Sequence, residues 1–204
     1  IASFKTPDNR QGDNALAVRT LIADIDCGEG KPYATKRDAV VELINFAAVV
    51  GLPRPYVVKS GNGIHAYWPL TESIDAATWK QTATMLKYAM LHAGLKADPS
   101  RTSDVASVLR PVGTHHRKAE PKPVELAVVG AVEDHSQILT ALANYITAND
   151  VVVATTGSRS DSLNSDLSGG QTYDPVDAED IARQCAVLAH MRDTRGNCDQ
   201  PTWY

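Results

Sequence analysis

The sequence predicts an α+β domain of about 150 residues, and three observations carry that reading. Apolar, β-branched runs and amphipathic stretches both occur, but they do not follow one another in strict βα repetition. Two of the runs flank Ser60-Gly-Asn-Gly63, a strong turn, so they form a hairpin and an antiparallel pair. The sheet is therefore expected to be antiparallel or mixed. Beyond residue 150 the composition changes, and the domain ends.

The elements follow in order. Residues 20–26, Thr-Leu-Ile-Ala-Asp-Ile-Asp, form a short apolar run bounded by Gly28 and Gly30, which reads as a buried strand ending in carboxylates. A helix is predicted over 36–50, where Val40, Val41, Ile44, Ala47 and Ala48 recur at helical steps. Gly51 stops it, and Pro53 and Pro55 prevent its resumption. Residues 55–59 and 64–70 are the hairpin strands. The next helix starts near Asp75, carries Trp79, Ala83, Leu86 and Met90 on one face, and stops at Gly94. A loop with Asp98 and Pro99 leads to a helical turn near 103–107. A strand at 123–129 and a helix at 136–146 complete the domain. Residues 151–175 have linker composition, centred on the Ser-, Gly-, Asn- and Asp-rich stretch 155–173. Residues 176–204 begin a helical accessory region, with a helix at 177–192 bearing Ile181, Cys185 and Leu188.

Composition excludes several classes. With 43% hydrophobic and 22% charged residues the chain is neither disordered nor membrane-like, and no run nears 18 apolar residues. The first ten residues lack the apolar core of a signal peptide. With no starting Met, and an end at Pro201-Thr-Trp-Tyr204, the chain reads as a piece of something longer. Three scattered cysteines, Cys27, Cys185 and Cys198, are no disulfide framework and point to a reducing interior. A zinc site from Cys185, His190 and Cys198 has only three ligands at irregular spacing, and small buried residues explain them better. Residues 1–147 hold 16 Lys and Arg against 15 Asp and Glu, whereas residues 148–204 hold 4 against 9. A near-neutral domain can still carry a local basic cleft for a polyanion.

Three clusters could carry chemistry. Asp24 and Asp26 stand two apart in a strand and so share a face. Two carboxylates side by side oppose each other's charging, which a hard divalent cation such as Mg²⁺ or Mn²⁺ relieves. A turn start at Asp26 and a cap at Asp24 would also account for them. Ser60-Gly-Asn-Gly-Ile-His65 places two glycines beside Lys59, so backbone N–H groups could cradle phosphate; a plain hairpin with a core histidine is the alternative. Asp98 precedes Arg110-Pro-Val-Gly-Thr-His-His-Arg-Lys118, a basic Gly turn in which Arg110 offers a planar fork for oxygens, unless the segment is only a solvated loop. His115 and His116 are adjacent and point apart, so they do not share a metal.

Taken together, in order and spacing, these motifs resemble the archaeo-eukaryotic primase superfamily, in particular the primase-polymerase domains of phages and plasmids. Asp24-Ile-Asp26 matches its Asp-x-Asp strand, Ser60 to His65 its Ser-Gly-x-Gly-x-His motif, and Asp98 its later acidic residue, with Asp104 as rival. Residues 110–118 match a downstream Arg-x-Pro-Gly-Thr-x-Asn-x-Lys signature, with the proline one place early and His116 in place of Asn. The resemblance spans roughly residues 15–130. The tail 185–204 also resembles the helical segment that follows such domains in phage primases.

The resemblance implies a primase fold with a mixed sheet related to the RNA-recognition fold. It implies template-directed nucleotidyl transfer from a dNTP or NTP to a 3′-hydroxyl. Asp24, Asp26 and Asp98 would hold two Mg²⁺ or Mn²⁺ ions, and Lys59, Ser60, Gly61, Gly63, His65, Arg110 and Lys118 would bind the nucleotide. Single-stranded DNA template and primer are the implied partners, with a helicase in the full-length protein or as a separate partner, and the expected location is cytoplasmic, the host cytoplasm for a phage protein. A nuclease on the same carboxylates and a non-catalytic replication-initiator module are the alternatives. Tyr67, Trp68 and Trp79 are assigned to the core, which leaves no stacking platform for bases.

Overall fold

A computed structural model describes residues 2–118 and 120–153. The linker from residue 154 onward, the helix at 177–192 and the Cys185, His190 and Cys198 group lie outside the described residues.

The order is β1 (Ala2–Phe4), a 3₁₀ turn (Gly12–Asn14), β2 (Ala15–Asp26), α1 (Lys36–Val50), β3 (Tyr56–Lys59), β4 (Gly63–Asp75), α2 (Ala76–His92), α3 (Pro99–Thr102), β5 (His115–His116), β6 (Lys122–Pro123), β7 (Glu125–Val128) and α4 (His135–Ala148). The fold is α+β. Five strands form one sheet in the order β1-β2-β4-β3-β7, and β5 and β6 form a separate small pair. Every pair in the large sheet is antiparallel, which decides between the antiparallel and mixed forms the sequence allowed.

The helix limits follow from capping. Thr35 accepts a hydrogen bond from the Asp38 N–H at 3.2 Å and starts α1, and Gly51 ends it in the left-handed region at φ 78°. The Asp75 carboxylate accepts from the N–H groups of Ala77 and Thr78, both at 2.9 Å, and so turns the end of β4 directly into α2.

The core lies between the sheet and the helices. Leu21, Ala23 and Ile25 of β2 and Ile64, Ala66, Trp68 and Leu70 of β4 point into it, against Leu43 and Phe46 of α1, Trp79, Leu86 and Met90 of α2 and Leu142 of α4. Trp68 and Trp79 are its largest members, and each indole N–H is paired: Trp68 donates to the Pro53 carbonyl at 3.0 Å and Trp79 to the Thr20 carbonyl at 2.8 Å. Burying a side chain of that size contributes on the order of 5 kcal/mol at roughly 25 cal/mol per Å².

The central strands run longer than predicted. β2 starts at Ala15 and β4 continues to Asp75, although Pro69 sits mid-strand and cannot donate to a ladder. The sheet adapts with a register shift between Val18 and Thr20. Arg19 then donates from its side chain to the carbonyls of Leu70 at 3.1 Å and Thr71 at 2.6 Å. The predicted helical turn at 103–107 instead falls at α3, because Asp98 caps it and Pro99 occupies its first turn. β1 is three residues long, too short for any periodicity to reveal.

Candidate active site

Period-two alternation decides which side chains reach the site. With Leu21, Ala23 and Ile25 committed to the helical core, Asp24 and Asp26 face the opposite side of the sheet. The same holds on β4, where Ile64 and Ala66 are core and His65 and Tyr67 turn away from it. Asp24 pairs directly with His65 across the ladder. Their closest atoms, Asp24 Oδ1 and His65 Nε2, are 3.7 Å apart. His65 Nδ1 lies 3.2 Å from the Tyr67 hydroxyl.

Asp98 arrives from the other direction. Its backbone N–H donates to the Asp24 carbonyl at 2.8 Å, which fastens the start of α3 to β2. Its carboxylate caps α3, with Oδ1 accepting from Ser100 N–H at 2.8 Å, Ser100 Oγ at 2.6 Å and Arg101 N–H at 3.3 Å. Asp104, the rival, spends its carboxylate on the Ala106 N–H at 3.0 Å and the Ser107 hydroxyl at 2.9 Å.

The electrostatics single out Asp24. Burial, then the charges of Asp26 and Asp98, raise its pKa, and Arg101 and Arg110 only partly offset this. The Tyr67 phenol is pushed up to about 12 by burial and by Asp24. His65 is held down to about 4 by burial and by Arg110, so it is neutral at pH 7. Against a burial cost, hydrogen bonds from Ser100 and Arg101 keep Asp98 below its ordinary value.

Two stability predictions follow. A depressed histidine pKa means the unfolded chain binds the extra proton, so stability should rise with pH from about 4 to 6.5. Urea denaturation at the two ends of that window should show the rise in the wild type and a smaller one in His65→Asn. Tyr67→Phe strips a buried imidazole nitrogen of its partner and should lower the unfolding free energy by about 1–3 kcal/mol, read by the same titration. An unchanged midpoint would mean the hydroxyl does not hold the ring.

The remaining predicted residues divide. Ser60 is buried at the hairpin turn, where its N–H donates to the Gly63 carbonyl at 2.9 Å. Lys59 faces Glu125 of β7 at 3.7 Å. A Cβ on Gly61, which has φ 98°, would stand 2.5 Å from His116 Cβ, and one on Gly63 would stand 2.2 Å from the Ile25 carbonyl oxygen. Both glycines therefore have a packing reason to be glycine, apart from any phosphate. His116 is buried against Gly61 while His115 is exposed. Burial, then Arg110, Lys118 and Lys122, lower the His116 pKa. Lys122 donates to Asn62 at 2.7 Å, so the hairpin tip is ringed by cations.

The donor chemistry fits a hard divalent cation: oxygen carboxylates crowd Asp24, whose charging their proximity opposes. The three-carboxylate set is not gathered as a cage. Among the described residues no three His, Cys, Asp or Glu side chains stand together in that way. Asp26 is drawn to Lys31 at 3.0 Å, and Asp98 is occupied by its cap.

Some contributors carry no signal in the sequence. Tyr67 reads there as a core residue, but adjacent Tyr67 and Trp68 must face opposite sides of the sheet, and only Trp68 joins the helical core. Trp79 is core as expected. Arg101 carries no motif signal, because α3 is what brings it toward Asp24. Beside the site lies a cleft of about 650 Å³ between the sheet and residues 105–112, lined by Tyr56, Val58 and Tyr67 and by Leu109 and Arg110.

No protein family's profile matches the chain, and no curated protein matches it. Among solved structures the chain is similar to the AEP domain of the cyanophage S-2L primase-polymerase (PrimPol). The two are 22% identical with a TM-score of 0.48, and the match covers 66% of this chain and 65% of that one. No helix among the described residues is long and apolar enough to cross a membrane.

Proposed function

We propose that this chain is a primase-polymerase: it joins a nucleotide from a dNTP or NTP to the 3′-hydroxyl of a primer paired to single-stranded DNA. The observation that carries the reading is Asp24, a part-buried carboxylate crowded by Asp26 and Asp98, paired across the ladder with His65 and flanked by Arg101 and Arg110. That juxtaposition of sheet carboxylates with an acid and cations from α3 and the loop after it suits a reaction in which a polyphosphate is gripped while an alcohol attacks phosphorus. The motif resemblance supplies the template-directed form of the reaction.

Asp24, Asp26 and Asp98 would hold Mg²⁺ or Mn²⁺, which supplies charge neutralisation for the pyrophosphate leaving group and a lower pKa for the attacking hydroxyl. Neutral His65, with Nδ1 engaged by Tyr67, presents Nε2 toward the same space as the Asp24 carboxylate. A proton on Nε2 makes it a donor to a phosphate oxygen. Arg110 acts on both Asp24 and His65 and is the main guanidinium for the triphosphate. Lys59, Ser60, Gly61, Gly63 and Lys118 frame the hairpin side of that grip. Phosphate contacts from the cations at the hairpin tip would make DNA binding salt-sensitive.

The test is extension of a labelled primer on a DNA template with Mn²⁺ or Mg²⁺ and separate dNTP and NTP arms. Template-dependent lengthening is expected. Shortening of the primer without any triphosphate would replace the reading with a nuclease. DNA binding with no turnover and no triphosphate affinity would replace it with an initiator-type binding module.

A further inference from the structure

The cleft shares Arg110 and Tyr67 with the site above, although none of Asp24, Asp26, Asp98 and His65 lines it. Arg110 lines its wall and also lowers the pKa values of Asp24 and His65. Tyr67 lines its floor and also holds His65. A molecule whose phosphate meets Arg110 can therefore reach into it.

The lining tells what would enter. Tyr56 and Tyr67 are direct cross-strand partners, so both rings rise from one face of the sheet. Neither belongs to the helical core, and both are only part-buried. Opposite them, Val108 and Val112 stand 60% and 54% exposed while bordering the cleft, which leaves apolar surface uncovered. About 650 Å³ is ordinary for a small-molecule pocket. Aromatic rings and aliphatic walls, with a guanidinium at the mouth, suit a flat, uncharged ring joined to a phosphate.

We infer that this cleft is a nucleobase pocket, in which a base packs on Tyr56 and Tyr67 while its phosphate reaches Arg110. The inference rests on the proposed primase-polymerase reading and extends it, because it gives the chain an aromatic seat for a base that the motifs do not contain. The base could come from the incoming triphosphate or from the template strand. The chemistry of the seat is the same, and the experiment separates the two sources.

The full chain, with Mg²⁺, is titrated with 2-aminopurine deoxyribonucleoside triphosphate, with an eight-residue oligodeoxyadenylate carrying one 2-aminopurine, and with inorganic tripolyphosphate as the baseless control. Stacking quenches 2-aminopurine, so wild-type binding should dim one of the two probes. Tyr56→Leu keeps apolar bulk but removes the flat face, and should weaken that probe about tenfold while leaving tripolyphosphate unchanged. Tyr56→Trp should keep the affinity. Loss confined to the triphosphate assigns the pocket to the incoming nucleotide, and loss confined to the oligonucleotide assigns it to the template. If both probes bind the wild type without quenching, and tripolyphosphate binds as tightly as the nucleotide, the pocket is overturned while the phosphate grip stands. If the wild type binds none of the three, the proposed function falls and the pocket with it. Should Tyr56→Leu fail to fold, the wild-type quenching alone decides.

Discussion

Asp24→Asn is expected to reduce primer extension at least a hundredfold while raising stability at pH 7. The substitution keeps the shape of the side chain and removes only its charge. Activity should go because Asp24 is the carboxylate on which the other charged groups of the site converge. Stability should rise because the same carboxyl has a raised pKa: burial, Asp26 and Asp98 make its ionised form unfavourable in the folded chain. The sign is fixed by linkage. Above the folded pKa the wild type bears the full cost, as pH falls through that value the proton relieves it, and below about 3.8 the two proteins should converge. Extension assays paired with melting curves at several pH values test both halves. Full activity in the variant would remove Asp24 from the site. Lower stability at pH 7 would mean that the flanking arginines depend on its charge more than the carboxylates oppose it.

Gly63→Ala should be among the most destabilising single-methyl additions in the domain. The added Cβ would lie 2.2 Å from the Ile25 carbonyl oxygen and 3.2 Å from Asp26 Cα. These are backbone atoms of a strand in the middle of the sheet, so no flexible side chain can yield. We expect a loss of about 3 kcal/mol or more and a fall in melting temperature on the order of 10 °C. Gly113→Ala is the control. Its φ is 87° with nothing within 4 Å of the new methyl, so it should cost only the roughly 1–2 kcal/mol of a left-handed backbone. Calorimetry of the pair checks the ordering, and equal melting temperatures would show that β2 and β4 can part without penalty. Since the clash falls between Ile25 and Asp26, the Gly63 variant should also lose activity by prising the carboxylate strand from His65.

The sequence was most informative where one residue decides a local geometry. The limits of α1 were readable because Gly51 must stop it, and the start of α2 because Asp75 can cap it. That Asp24 and Asp26 share a face follows from alternation alone, whereas the pairing of His65 with Asp24 depends on ladder register. It was least informative where distant segments meet. That Gly63 serves the spacing to β2, and Gly61 the seat of His116, depends on atoms 37 and 55 residues away. Tyr56 and Tyr67 become a pair only through ladder register. The carboxylates read as a ready cation site from spacing alone, whereas Lys31 and the α3 cap compete for two of the three.

The ladder between β2 and β4 has a further consequence, for how the protein assembles. β3 and β4 join through three residues and can zip locally, on the microsecond scale of hairpins. β2 meets β4 only across a long detour: Asp26 pairs with Gly63 and Ala17 with Asp75, 37 and 58 residues apart along the chain. Closing such a loop costs entropy before any contact repays it. The hairpin bearing Lys59, Ser60 and His65 is thus expected to form ahead of the contact that brings Asp24 to it. The two halves of the site then belong to different stages of folding, and they coexist only once the long-range pairing of β2 with β4 is complete.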